Sequence, residues 1–285
     1  MTDRLGENDV MRLLVVLDRP DTALFTLGTA GALAERLCAD QIRILHPRLA
    51  DNPAFQTPDE GMPTTEEQQR FAREVTERAD RLREIASAWI RSASSGAHPQ
   101  PDRQWVEIAG DVRKIAAQEA RSADFVIHGR PRAGDPAYVV DAFAGILYDA
   151  EATLIVAPLQ DYASVGHRPV IGWHPSHALD NAISAAMPLL ETAERVTLII
   201  GEHDGNETRL PAFASTLGRR GVQIIVDRFR IDGDVGEQIR THALAANADL
   251  LIMGAYTRPH FLEWLFGGPT QDLFTHATLP ILTHH

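Results

Sequence analysis

Apolar residues in this chain gather into short, largely continuous runs more than they alternate with polar ones. Leu13 to Leu17, Gln41 to Leu45, Trp105 to Ile108, Phe125 to Ile127 and Leu154 to Val156 form one series. Val170 to Trp173, Val196 to Ile200, Gln223 to Val226, Leu250 to Met253 and Pro280 to Leu282 form another. Such runs are too short for helices and too continuous for strands with one wet face, so they predict strands covered on both sides. Helical spacing fills the stretches 22–38 and 64–92 in the first series and 178–192 in the second, and Phe71, Val75, Leu82 and Trp89 make the apolar side of the longest. Strands alternating with helices imply parallel βαβ units, so the expected class is α/β with doubly wound parallel sheets. Residues 46–63, dense in Pro, Asp and Asn, predict a long polar loop serving as lid or spacer.

The two series are copies of one another. Ser122-Ala123-Asp124-Phe125-Val126-Ile127-His128-Gly129 is echoed by Asn247-Ala248-Asp249-Leu250-Leu251-Ile252-Met253-Gly254, and the same offset carries Ala152-Thr153-Leu154 onto Ala277-Thr278-Leu279. Two domains are therefore expected, 1–160 and 168–285, joined by a polar stretch so short that they should pack together. A fifth strand left at a sheet edge tends to find a partner, so the halves are expected to pair there.

Composition narrows the function. With 44% hydrophobic and 23% charged residues the chain of 285 lies near globular averages, which argues against long disorder. Its 27 Lys and Arg against 39 Asp and Glu give a net charge of −12, which argues against nucleic-acid binding. The richest basic stretch, Arg70 to Arg91, is interleaved with Glu74, Glu77, Asp80 and Glu84 and reads as a solvated helix face. Cys38, the only cysteine, reads as a small core residue on a helix in a reduced compartment. The Leu13 to Leu17 run is far shorter than the roughly 18 residues of a membrane span, so a cytoplasmic protein is expected. No G-x-S-x-G elbow, Walker A run or H-E-x-x-H is present, and no enzymatic turnover is expected. His174 and His177 lack a third ligand at matching spacing, so no metal site is expected. Gly110-Asp111 and Gly233-Asp234 read as turns whose aspartates cap the next helix.

Candidate chemistry lies just after the strands, where ligands bind in open parallel sheets. Gly254 follows the fourth strand of the second half, and Gly267-Gly268 precedes Pro269-Thr270, which begins like a helix. Unpaired N–H groups at a helix start stabilise a phosphate, with Arg258 and the Thr270 hydroxyl adding contacts. The same glycines also suit a tight turn and a helix start, and spacing alone leaves both readings open.

The segment from Met253 through Gly267-Gly268-Pro269-Thr270 to Thr278-Leu279-Pro280 resembles the C-terminal signature of the universal stress proteins. Nucleotide-binding members of that family carry glycine, two residues, glycine, nine residues, glycine and then serine or threonine. Gly254 and Gly267 match the first and third glycines, whereas Thr257 and Gly268 stand in the other two places. In the first half the aligned residues are Gly129, Arg132, Ala142 and Phe143. Asp18 matches the acid that the family places after strand one, and His174 replaces it in the second half.

The resemblance implies a tandem universal stress protein with two domains of the adenine-nucleotide alpha hydrolase-like fold. It implies a stress-response role as sensor or regulator, with one ATP or AMP held in the second half by His174, Ile200, Gly254, Arg258, Gly267, Gly268 and Thr270. No metal is expected beyond Mg carried by the nucleotide. The alternative it leaves open is that both sites are vestigial and the protein works through protein–protein contacts. Family members pair through their fifth strands, which implies a pseudo-dimer within the chain and further homo-oligomers.

Overall fold

The computed structural model describes residues 10–51, 64–93, 100–132, 134–161, 164–202, 209–233, 235–255 and 279–285. The first half comprises β1 (Arg12–Val16), α1 (Pro20–Leu37), β2 (Gln41–Leu49), α2 (Thr65–Ala93), β3 (Asp102–Gly110), α3 (Val112–Ala120), β4 (Phe125–Gly129), α4 (Ala137–Ala144) and β5 (Leu154–Ala157). The second comprises β6 (Pro169–Gly172), α5 (His177–Leu190), β7 (Arg195–Glu202), α6 (Ala212–Arg219), β8 (Gln223–Arg230), α7 (Val235–Ala245), β9 (Leu250–Gly254) and β10 (Ile281–His284).

All ten strands join one sheet in the order β3-β2-β1-β4-β5-β10-β9-β6-β7-β8. Read outward from the middle, the two halves have the same strand order. They meet where β5 runs antiparallel to β10, with Val156 opposite Ile281, Ile155 opposite Leu282 and Leu154 opposite Thr283. Neighbouring strands within each half are parallel. Alternate side chains of β1 go to opposite faces. Leu13, Val15 and Leu17 join α1, α2, α5 and α6 in one core layer, while Leu14 and Val16 join α3, α4 and α7 in the other. Burial on both faces is the reason inner strands such as β1, β4 and β5 read as apolar runs, while the edge strands β3 and β8 are mostly half-buried or exposed.

Local chemistry sets the element ends. Asp111 caps α3 by accepting from Lys114 N at 3.1 Å, as its sequence predicts. Asp234, the matching residue, lies outside the described residues. Ser176 caps α5 through Leu179 N at 3.2 Å. Cys38 departs from expectation: it is exposed, because α1 ends there with Cys38 in the left-handed conformation at φ 50°.

The polar segment 46–63 is not a loop throughout. β2 continues to Leu49, and His46, Pro47, Arg48 and Leu49 pair with Glu107, Ile108, Ala109 and Gly110 of β3. β1 already ends opposite Leu45, so this extension has a strand on one side only. Pro47, which has no N–H to donate, is tolerated in such an edge position. Polar residues in a strand with a free side carry no alternation that a pattern would reveal. Residues 52–63 lie outside the described set. Among the described residues, no helix is long and apolar enough to cross a membrane.

Candidate functional site

Each half has a point where the chain order reverses, between β1 and β4 and between β6 and β9, and a crevice forms there beyond the carboxyl ends of the strands. In the first half this crevice is filled by the chain's own charged groups. Asp18 and Arg19 leave β1, and His128 and Gly129 end β4. Arg19 Nε donates to Asp18 Oδ1 at 3.0 Å, and its Nη2 donates to the carbonyls of Gly129 at 3.1 Å and Arg130 at 3.2 Å. Its Nη1 pairs with Asp135. On the other side of Asp18, His128 places Nε2 2.9 Å from Oδ2 and Nδ1 2.7 Å from the Gly129 carbonyl. A Cβ on Gly129 would come within 2.9 Å of Thr26 Oγ1 and 3.2 Å of Arg19 Nη2. Space is used up at this strand end, and all three nitrogens of the Arg19 guanidinium are engaged.

Burial raises the Asp18 carboxyl, but the His128 ring and then Arg19 more than offset this and bring its pKa down to about 2. A folded pKa below the unfolded value contributes stability that is present above the unfolded pKa and lost as pH falls through the folded one. The loss for Asp18 should therefore run from about pH 4 to about pH 2 and amount to about 2 kcal/mol. Urea unfolding at pH 5 and pH 2.5 measures it: the wild type should lose this much more than Asp18→Asn, and equal losses in both proteins would dismiss the assignment. Next to this cluster His46 is buried, with Nδ1 2.8 Å from the Leu17 carbonyl, and burial lowers its pKa. Arg78 of α2 lies 4.2 Å above the Tyr138 ring.

The second crevice is built differently. β6 is followed by Trp173, His174 and Pro175, so no arginine leaves this strand. Trp173 packs edge-on against Phe213 with centroids 5.7 Å apart, and His174 is exposed. Gly254 closes β9 and is buried. A Cβ there would sit 2.7 Å from Leu179 N, in the first turn of α5. Close packing of helix on strand thus accounts for this glycine without a ligand. Among the described residues, no side chain is bonded to the Gly254 carbonyl.

The topology brings His174 and Gly254 to the same crevice, because β6 and β9 are neighbours. Ile200 lies on β7, with its side chain fully buried in the core layer that holds α5 and α6, so it can offer a ligand its main chain alone. Thr257, Arg258, Gly267, Gly268 and Thr270 lie outside the described residues. Among the described residues, no group of His, Cys, Asp or Glu is arranged to hold a metal. His177 is engaged with the Asn181 amide at 3.2 Å.

Arg19, His128 and Asp135 were not evident as a functional group from the pattern of runs. Their signal is adjacency: Arg19 directly follows the strand-one acid, and His128 directly precedes the first matched glycine of the first half.

Residues 170–285 match the model of the universal stress protein family. The whole chain is similar in fold to a universal stress protein from Archaeoglobus fulgidus, with a TM-score of 0.65, 16% identity, and 95% of this chain and 94% of that one covered. It is also similar to a functionally unknown protein from Pseudomonas aeruginosa, with a TM-score of 0.50, 13% identity, and coverage of 96% and 92%. At these identities the likeness is one of fold. No curated protein matches the chain.

Proposed function

Taking as premise that residues 170–285 match the universal stress protein family, we propose that this tandem chain is a stress-response protein that holds one adenine nucleotide, ATP or AMP, in its second half. The observation that supports this reading is the difference between the two crevices. In the first, Arg19 spans from Asp18 and Asp135 to the Gly129 and Arg130 carbonyls. A nucleotide would have to displace that guanidinium and set its phosphates beside two carboxylates, so the residues of the first half do not fit one.

In the second half no such bridge is found among the described residues, and an exposed His174 stands in place of the acid. The start of α5 abuts the end of β9, which puts a helix N-terminus beside the crevice where an anion is favoured. The residues that fit a nucleotide are thus His174, Gly254 and the Ile200 main chain, with Arg258, Gly267, Gly268 and Thr270 proposed for the phosphates. Bound there, the nucleotide supplies a phosphate charge that differs between ATP and AMP, and the protein's part is to hold and report it. Binding without turnover, in a cytoplasmic homo-oligomer, completes the proposal.

Gly267→Val tests the phosphate side. A branched side chain at a glycine whose main chain is proposed to meet the phosphate blocks approach. Calorimetric titration with ATP should show affinity at least about 100-fold weaker than wild type, while the melting temperature stays within about 2 °C. Unchanged affinity in a folded variant would remove the loop from the proposal.

A further inference from the structure

The second half carries a groove that the crevice does not use. It has a volume of about 860 Å³ and runs along α6, bounded by Arg209 before the helix, Ser215, Thr216 and Arg219 on it, and Arg228 on β8. Ala212, Ser215, Thr216 and Arg219 fall three, four and seven residues apart, which puts them on one helix face. The opposite face, with Ala214 and Leu217, is buried in the core, so the groove face is the solvent face of an amphipathic helix. Such faces ordinarily mix acids with bases. Among the described residues this one has no acid in its lining, in a chain whose net charge is −12.

The charges are also poorly compensated. Arg228 is paired with Glu202, but Arg219 donates only to the Thr216 hydroxyl at 3.1 Å, and Arg209 makes no ion pair among the described residues. Two guanidiniums without a carboxylate among the described residues, a third paired with Glu202, two hydroxyls and an α6 first turn whose Pro211 N-cap offers no side-chain cap all border one groove. Guanidinium forks match the tetrahedral oxygens of a phosphoryl group, and two net positive charges match a dianion.

We infer that this groove is a second anion site, one that takes a small molecule bearing a phosphoryl or diphosphoryl group. It is separate from the crevice at Gly254. From β9 to β8 the sheet passes through β6 and β7, three strand spacings or about 14 Å. The inference does not depend on a nucleotide in the crevice.

Pyrophosphate is the probe, titrated by calorimetry in low salt into the full chain, the double variant Arg209→Ala with Arg219→Ala, and Gly267→Val. Both arginines are exposed, so the double variant should melt within about 2 °C of wild type. The expected result is that the double variant binds at least tenfold more weakly than wild type, that Gly267→Val leaves this binding unchanged, and that binding weakens as salt is raised. No heat from wild type overturns the inference. So does binding that Gly267→Val abolishes while the double variant retains it, because the anion is then held at the glycine loop. Absence of nucleotide binding by the wild-type crevice, with pyrophosphate binding still lost on mutation of the arginines, would count against the proposed function and leave this site standing.

Discussion

Replacing Asp18 with Asn is expected to lower the unfolding free energy by about 3–5 kcal/mol at pH 7. The substitution is nearly isosteric, so the loss comes from charge and not from packing. It leaves Arg19, which is buried, without one of its carboxylates, and removes the acceptor charge facing His128. Breaking a buried pair from one side costs far more than the pair contributes, because the remaining charge stays out of water. Asp21, which meets Arg132 at an exposed position, is the control: Asp21→Asn should change stability by no more than about 1 kcal/mol. Chemical denaturation of the three proteins decides the matter. A cost for Asp18→Asn no greater than that for Asp21→Asn would mean that the first crevice is not held by this cluster.

The other large effect lies at the join between halves. Leu282 is fully buried in β10, opposite Ile155 of β5, and belongs to a core layer that both halves share. Leu282→Ala should cost about 2–5 kcal/mol, the transfer cost of the lost methyl groups plus that of the cavity left behind. Leu244, 44% exposed on α7, offers the contrast, since truncation there should cost less than about 1 kcal/mol. Because the β5–β10 ladder holds the two five-stranded sheets together, weakening it should also broaden the thermal transition toward two steps. A single sharp transition with a loss under about 1 kcal/mol would show that the halves do not depend on this seam.

The inner strands were legible because they are buried on both faces, and a run such as Leu13 to Leu17 has no other stable use in a parallel sheet, whereas the edge strands β3 and β8 are mostly half-buried or exposed. The repeat was legible as well, and with it the mirrored strand order. Strand lengths at the carboxyl ends were not. His46 to Leu49 reads as loop since its pairing is with β3 alone, and one-sided pairing leaves no hydrophobic signature. Cys38 reads as core because helix periodicity says nothing about where the last turn lifts off the sheet.

The site divides in the same way. Asp18 and His174 stand out as counterparts in the repeat, but Arg19 acts through carbonyls 110 and 111 residues away, a relation that only the fold creates. The groove on α6 is another such case. Arg209, Arg219 and Arg228 never form a run in the sequence, and they become a basic surface only when α6 lies against β8. Gly254 shows the opposite limit. Its place in the motif is plain from the sequence, yet the approach of Leu179 N explains it by packing, so its presence does not by itself argue for a ligand.

Calorimetric titration of the Arg209→Ala, Arg219→Ala double variant, whose α6 groove no longer takes a phosphoryl group, with ATP and with AMP, with total sites per chain as the readout, tests the asymmetry between the halves most directly. The account predicts about one nucleotide per chain, held in the second half. Two per chain would contradict it by showing that Arg19 yields its crevice to a ligand, and none at millimolar concentration would contradict it by showing that the glycines of the second half are vestigial and that the protein acts through its surface.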